Sequence, residues 1–420
     1  MRRMTLNRYA ALLREHEQDL TKILSAESGK PLAEANGEVQ YSTAYVDWYA
    51  GECERVYGDI IDQSRPGVRT LVRKMPIGVV GVITPWNFPA AMICRSAVGA
   101  LAAGCPVVIK PSELTPFSAI ALAELATRAG IPAGAISVVT GNPAPIGKAL
   151  TDSAAVRKLS FTGSTRVGKM LYRDATATMK RVVMELGGNA PFIVFADADL
   201  DKAAEGLILA KFRNAGQTCI CANRVFVHSR VKDVFLEKVI AKLKNMNVGG
   251  AGGSGHAMGC IITKGQADRI RGLITDAVER GATVAYEHAT MPTGAAEKAA
   301  GTWVPPTLLT GANDTMRCVQ EEIFGPILAV QTFEDDADVL RRANSVNAGL
   351  ASYFFTEDYR RQWRFSEALQ YGMVGVNEGI ISTPNAPFGG VKDSGIGRDG
   401  SKYGIDHFVD LKYVLVGGGI

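Results

Sequence analysis

Apolar positions recur at two spacings along this 420-residue chain, and the change between them outlines its elements. Leu6, Tyr9 and Leu13, then Leu20, Ile23 and Leu24, fall three or four apart. That predicts two helices within residues 5–55, broken at Gly29-Lys30-Pro31. Residues 57–75 read as extended, rich in β-prone Ile60, Ile61, Val68, Leu71 and Val72. From Val79 the runs become short and continuously apolar, at 79–84, 106–110, 135–139 and 158–162. Helical stretches separate them, one after Pro85-Trp86-Asn87-Phe88-Pro89 and others at 116–129 and 146–151.

A second series follows Gly187-Gly188, with strands at 191–195, 224–227, near 283, 328–333, 352–355 and 373–376. Between them lie helices at 200–212 and 264–280, and one carrying Val231, Phe235, Val239 and Leu243 on one face. Strands that are apolar on both faces and alternate with helices belong to parallel, helix-covered sheets. One core does not serve a chain of this length, so the expected fold is α/β with two domains.

Composition narrows the function more than the fold. Hydrophobic content of 47% with 21% charge suits a soluble globular protein. The 46 basic and 42 acidic residues give a net charge of +4 without long runs, so neither nucleic acid nor an acidic membrane is an expected partner. The most membrane-like stretch, 90–109, contains Arg95 and reads as a buried helix and strand. Met1-Arg2-Arg3-Met4 leads into an amphipathic helix rather than a secretory core. Seven cysteines without framework spacing fit a reducing compartment, so a cytoplasmic location is expected, organellar targeting staying open. The five histidines are scattered and no metal site is expected.

The candidate chemistry centres on Gly216-Gln217-Thr218-Cys219. A glycine turn at the end of a helix can expose a small side chain and leave its N–H free, as a thiolate nucleophile needs. A buried structural thiol is the alternative. Glu185 is a carboxylate in an apolar strand closed by two glycines, where burial raises a pKa toward a general base; an edge glutamate facing water is the other reading. The Asn87 amide, at a strand end between Trp86 and Phe88, can stabilise an oxyanion or simply make a turn. Glu113, just past a strand, can accept ribose hydroxyls and repel a 2′-phosphate, with Lys110 in reach; a solvated pair is equally open. Two Gly-x-Gly-x-x-Gly matches, at 250–255 and 395–400, lack the strand-to-helix setting of a dinucleotide fingerprint and read as turns. Gly163 to Lys169 follows a strand and looks like a phosphate loop. Met170 stands where a magnesium-binding hydroxyl belongs, which argues against a nucleotide hydrolase but not against phosphate.

Seven motifs occur in one order: Pro85-Trp-Asn-Phe-Pro, Lys110-Pro-Ser-Glu, Phe161-Thr-Gly-Ser-Thr, Glu185-Leu-Gly-Gly-Asn, Gly216-Gln-Thr-Cys, Glu322-Ile-Phe-Gly-Pro and Pro387-Phe-Gly-Gly-Val-Lys. In this the whole chain resembles the aldehyde dehydrogenases. Within them it is most similar to succinate-semialdehyde dehydrogenases, through Phe212-Arg213-Asn214, the Cys219/Cys221 pair, and Asn377-Glu-Gly-Ile-Ile-Ser382 with its tail Gly400-Ser-Lys-Tyr-Gly404. The resemblance implies two Rossmann-like parallel-sheet domains and an oligomerisation arm. Residues 1–56 and 76–188 would bind NAD (NADP less favoured), 189–395 would be catalytic, and 57–75 with 409–420 would assemble a homodimer or homotetramer.

It also implies roles. Cys219 is the nucleophile, Glu185 the base, and Asn87 with the Cys219 N–H the oxyanion site. Trp86, Lys110, Ser112, Glu113, Gly163, Ser164, Gly168, Leu186, Glu322 and Phe324 hold the cofactor. Arg95, Arg213 and Ser382 grip the far carboxylate of the substrate, for which guanidinium forks are well suited. The expected reaction is NAD-dependent oxidation of succinate semialdehyde, with a broader ω-carboxylated aldehyde, such as glutarate semialdehyde, as alternative.

Two departures stand out: the family's customary early strands have no counterpart ahead of Met1, and Gly259-Cys260-Ile261 replaces Gly-Pro-Leu. Cys221 lies too close to Cys219 for an unstrained disulfide, which suits a reversible redox switch if the segment is extended; a kink would turn it away.

Overall fold

The computed structural model describes residues 1–251, 255–289 and 301–417. The glycine stretch 250–255 and the predicted strand end beyond 417 lie partly outside them. Three helices open the chain where two were expected: Arg2–Glu15, Glu17–Ser28 and Leu32–Glu52. The extra break falls at His16, which carries no glycine or proline signal (φ −101°, ψ 19°). The predicted break is present, with Gly29 left-handed at φ 78°.

A six-stranded sheet runs in the order Gly395–Ile396, Arg181–Glu185, Val156–Thr162, Val79–Ile83, Val107–Lys110, Ile136–Val138. All neighbours are parallel except the first pair. The opening helices with Pro89–Ala103 and Pro116–Arg128 bury one face through Val80, Val82, Val107 and Ile109. Leu159, Phe161 and Met184 pack on the other face, toward Pro143–Asp152 and Thr165–Ala175. A seven-stranded sheet takes the order Thr283–Glu287, Thr307–Thr310, Ile327–Phe333, Ala222–His228, Ala190–Val194, Ala351–Phe355, Met373–Val376, parallel but for its first pair. Gly395 and Ile396, at and beyond the expected end of the second domain, return to the first sheet.

Residues 57–75, read as extended, form two strands, Asp59–Asp62 and Arg69–Pro76. With Val409–Val416 they make a three-stranded antiparallel sheet whose Ile60, Leu411, Tyr413 and Leu415 side chains are exposed. The corner after Val79–Ile83 is held from the opening helices. Glu38, paired with Lys30 in the interior, accepts the Ala90 N–H (2.9 Å) and Ala91 N–H (3.3 Å) at the start of Pro89–Ala103. Lys30 also lies over the Phe88 ring at 4.0 Å. That fixes Trp86-Asn87-Phe88 at the carboxyl end of the parallel sheet, where α/β ligand sites form.

Candidate active site

Helix Leu200–Phe212 stops at an unusual kink. Asn214 (φ 53°) and Ala215 (φ 55°) are left-handed without being glycine, ahead of Gly216 at φ 74°. Each such residue costs an L-amino acid about 1–2 kcal/mol, so neighbours must hold the kink in place. They do: Glu34 Oε1 accepts the Asn214 N–H (2.7 Å), and Asn214 Nδ2 donates to Asn87 O (2.9 Å). Gln217 Nε2 reaches Asn214 O (3.0 Å) and Cys260 O (3.2 Å). A side chain on Gly216 would meet Gly325 O at 2.3 Å, so only glycine fits. The next turn, closed by Cys221 N–H to Thr218 O (3.1 Å), presents Cys219 to a cavity of about 750 Å³. Gly188 lets it approach, since a Cβ there would sit 2.1 Å from Cys219 O.

Asn87 and Glu185 line the same cavity. Asn87 Nδ2 spends one hydrogen on Gln217 O (3.0 Å), leaving the other. The Cys219 N–H makes no hydrogen bond among the described residues. Glu185 is buried, flanked by Val156–Thr162 and Gly395–Ile396, and neither carboxylate oxygen has a partner. It is not an edge residue facing water. Burial raises its pKa well above the usual carboxylate range, Asp399 adding to the rise while Arg95 and Arg398 oppose it. Burial likewise pushes the Cys219 thiol up to about 12, with Arg95 and Arg213 pulling down and Glu322 and Glu185 pushing up.

At another part of the wall stand Arg95, Arg213 and Ser382. Arg95 is fully buried; its Nε donates to Asp399 Oδ2 (3.1 Å), its Nη2 to Thr162 Oγ1 (3.3 Å), and its Nη1 to nothing. Phe388 stacks on it at 4.3 Å. Arg213 lies over Phe88 at 5.1 Å, and among the described residues no carboxylate comes within 4 Å of its guanidinium.

A second cavity, about 680 Å³, holds Lys110, Ser112 and Glu113, and shares Gly163 and Ser164 with the first. Lys110 Nζ bonds Glu113 Oε2 at 2.9 Å. Ser164 caps Thr165–Ala175, whose N-terminus opens toward the neck between the cavities. Trp86, Leu186, Glu322 and Phe324 line the first cavity. Glu322 accepts the Gly188 N–H (2.9 Å), and burial lifts its pKa to about 7. Phe324, left-handed at φ 53°, meets Trp86 edge-on at 5.4 Å. Gly168 lines neither cavity; a Cβ there would collide with Leu186 at 2.2 Å, so its place is in packing. The joined cavities, with a carboxylate on the wall of each and a helix N-terminus at the neck, fit a dinucleotide.

Cys221 also lines neither cavity. It is buried against Lys211 O (3.5 Å), and 218–221 is a turn, so the extended geometry that would align it with Cys219 is not formed. Among the described residues no His, Cys, Asp and Glu cluster could hold a metal, and no helix is long and apolar enough to cross a membrane.

The profile of the Aldehyde dehydrogenase family matches residues 1–414. The chain belongs to the aldehyde dehydrogenase family. Such enzymes use NAD(P) to oxidise aldehydes, which gives both cavities a use. This aldehyde dehydrogenase is 48% identical over 412 residues to the succinate-semialdehyde dehydrogenase [NADP(+)] of Escherichia coli, covering 98% of this chain and 84% of that one. It is 48% identical over 411 residues to the glutarate-semialdehyde dehydrogenase of Pseudomonas putida, with the same coverage. The solved succinate-semialdehyde dehydrogenase of Burkholderia pseudomallei superimposes with a TM-score of 0.96 at 48% identity, over 99% of this chain and 85% of that one.

Several residues of the site escape a reading of the sequence. Asp399, partner of Arg95, sits inside a stretch that reads as turn glycines. Glu34, Glu38, Tyr41, Tyr45 and Tyr49 recur at helical spacing in Leu32–Glu52, a stripe that is legible but looks like ordinary amphipathicity.

Proposed function

We propose that this enzyme oxidises an aldehyde with an ω-carboxylate, succinate semialdehyde foremost, using NAD. The observation that carries this is the pair of guanidiniums on the Cys219 cavity, Arg213 without a carboxylate among the described residues and Arg95 with an unpartnered Nη1. Donors in surplus on a cavity wall ask for an acceptor-only group, and a carboxylate is one. Cys219 gives up its thiol proton to a base and its Sγ adds to the aldehyde carbon, while the carbonyl oxygen takes the Asn87 amide and the Cys219 N–H. A dinucleotide in the joined cavities would supply the acceptor for the hydride that leaves the adduct carbon, so that a Cys219 thioester remains. Glu185 then takes a proton from the water that cleaves the Cys219 thioester, releasing the acid and the thiol.

Lys110, Ser112 and Glu113 would hold the adenosine end, Gly163 and Ser164 the diphosphate, and Glu322 with Phe324 the nicotinamide ribose. Residues 1–56 and 76–188 would then form the cofactor half and 189–395 the catalytic half. Glu113 favours NAD, since its carboxylate would face a 2′-phosphate. Nicotinamide absorbance across aldehydes of graded length, with NAD and NADP, is the test. The reading predicts highest kcat/KM for succinate semialdehyde with NAD and none in Cys219→Ala; preference for uncharged aldehydes would refute the substrate, and preference for NADP the cofactor. Glutarate semialdehyde is the second reading, favoured by the Pseudomonas relative, because one methylene alters binding by only about 1–3 kcal/mol. We assign assembly as a dimer or tetramer to the three-stranded sheet with its exposed apolar side chains, readable by sedimentation.

A further inference from the structure

We propose that Tyr41 is a third donor to the acid tail of the substrate and thereby a specificity-determining residue; the inference rests on the ω-carboxylate reading above. Tyr41, Tyr45 and Tyr49 follow at four-residue spacing along Leu32–Glu52, so their rings share one stripe of the helix. Tyr41 meets Tyr45 edge-on at 5.0 Å, and Tyr45 stacks on Tyr49 at 6.4 Å. The hydroxyls of Tyr41 and Tyr45 are 2.9 Å apart. Tyr45 is wholly buried, and among the described residues its hydroxyl has no other hydrogen-bond partner.

Those facts give the pair a direction. If Tyr41 donated, the Tyr45 proton would be buried without an acceptor, a condition that folded structures avoid. Tyr45 therefore donates and Tyr41 accepts. The Tyr41 proton is left over, and Tyr41 is the one of the two that lines the cavity holding Cys219, Arg95 and Arg213.

What the proton can meet is set by its neighbours. Two acceptors beside Arg95 are already engaged: Asp399 Oδ2 takes Arg95 Nε and Ser96 Oγ (3.2 Å), and Thr162 Oγ1 takes Arg95 Nη2. Arg95 Nη1 adds a second donor without a partner. A wall that offers donors from two arginines and a phenol selects a ligand end made only of acceptors. The tail of an uncharged aldehyde gives the phenol nothing to bind, whereas a carboxylate oxygen completes it.

The test compares kcat/KM for succinate semialdehyde and propanal in the parent, Tyr41→Phe, Tyr45→Phe and Arg213→Ala. Tyr41→Phe should lower the ratio of the two about tenfold, chiefly through KM for the acid-tailed substrate, as expected for a hydrogen bond to a charged group. Tyr45→Phe, which keeps the Tyr41 proton but not its anchor, should lower it less. Inhibition by succinate against propionate gives a second reading without turnover, with a selective loss for succinate in Tyr41→Phe. If Arg213→Ala loses the preference while Tyr41→Phe stays within twofold of the parent in both measurements, the role of Tyr41 is overturned and the substrate reading stands. If the parent itself shows no preference for the acid tail, both are overturned.

Discussion

At the scale of single residues, the site is organised by charges that burial leaves unpaired. Glu185 has two buried oxygens without partners and a strongly raised pKa, a state suited to a base that works after its surroundings change. Glu185→Gln is expected to slow thioester hydrolysis by at least about a hundredfold and to leave an acyl group on Cys219, seen as added mass in the intact protein. Turnover limited by that step should rise with pH through the ionisation of Glu185, because only the deprotonated carboxylate accepts a proton. Arg213→Ala is expected to cost about 2–5 kcal/mol in transition-state binding of succinate semialdehyde and much less for propanal, read from kcat/KM. The proposed catalytic residues were legible because each sits in a local motif. Asp399 was not, since pairing it with Arg95 joins positions 304 residues apart and no local pattern links them.

At the scale of elements, the informative unit is the contact between Leu32–Glu52 and the kink at 213–217. Glu34 holds the Asn214 N–H with one oxygen while its other oxygen is buried and unpartnered, and burial lifts its pKa to about 7. The folded state thus prefers the protonated carboxyl. The group stabilises the fold fully below its ordinary value near 4.5, and that contribution is lost as pH rises through about 7. Glu34→Gln keeps an acceptor for Asn214 but cannot ionise. Between pH 5 and 8 the parent should therefore lose stability relative to Glu34→Gln, by on the order of 2 kcal/mol, measured from urea unfolding midpoints at each pH. Most parallel strands were readable to within a residue or two because their apolar runs are continuous; Thr307–Thr310, a short run just after Pro305-Pro306, was missed. The helix break at His16 was hidden, because neither glycine nor proline marks it and the apolar spacing carries across it.

At the scale of the whole molecule, two largely parallel sheets meet around one pair of joined cavities, and most of the residues singled out in the sequence motifs line them, Gly168 and Cys221 excepted. The motifs did not foretell how they are held: the supports of the nucleophile turn come from Glu34, Asn87 and Cys260. That dependence ties the turn to distant parts of the chain. It also sets a limit on robustness. Asn214 and Ala215 keep conformations that most L-residues avoid, so free energy is retained beside Cys219 that a more relaxed loop would release. Selection for heat tolerance alone would erode this kink first, and a sturdier descendant of this protein would be a slower one.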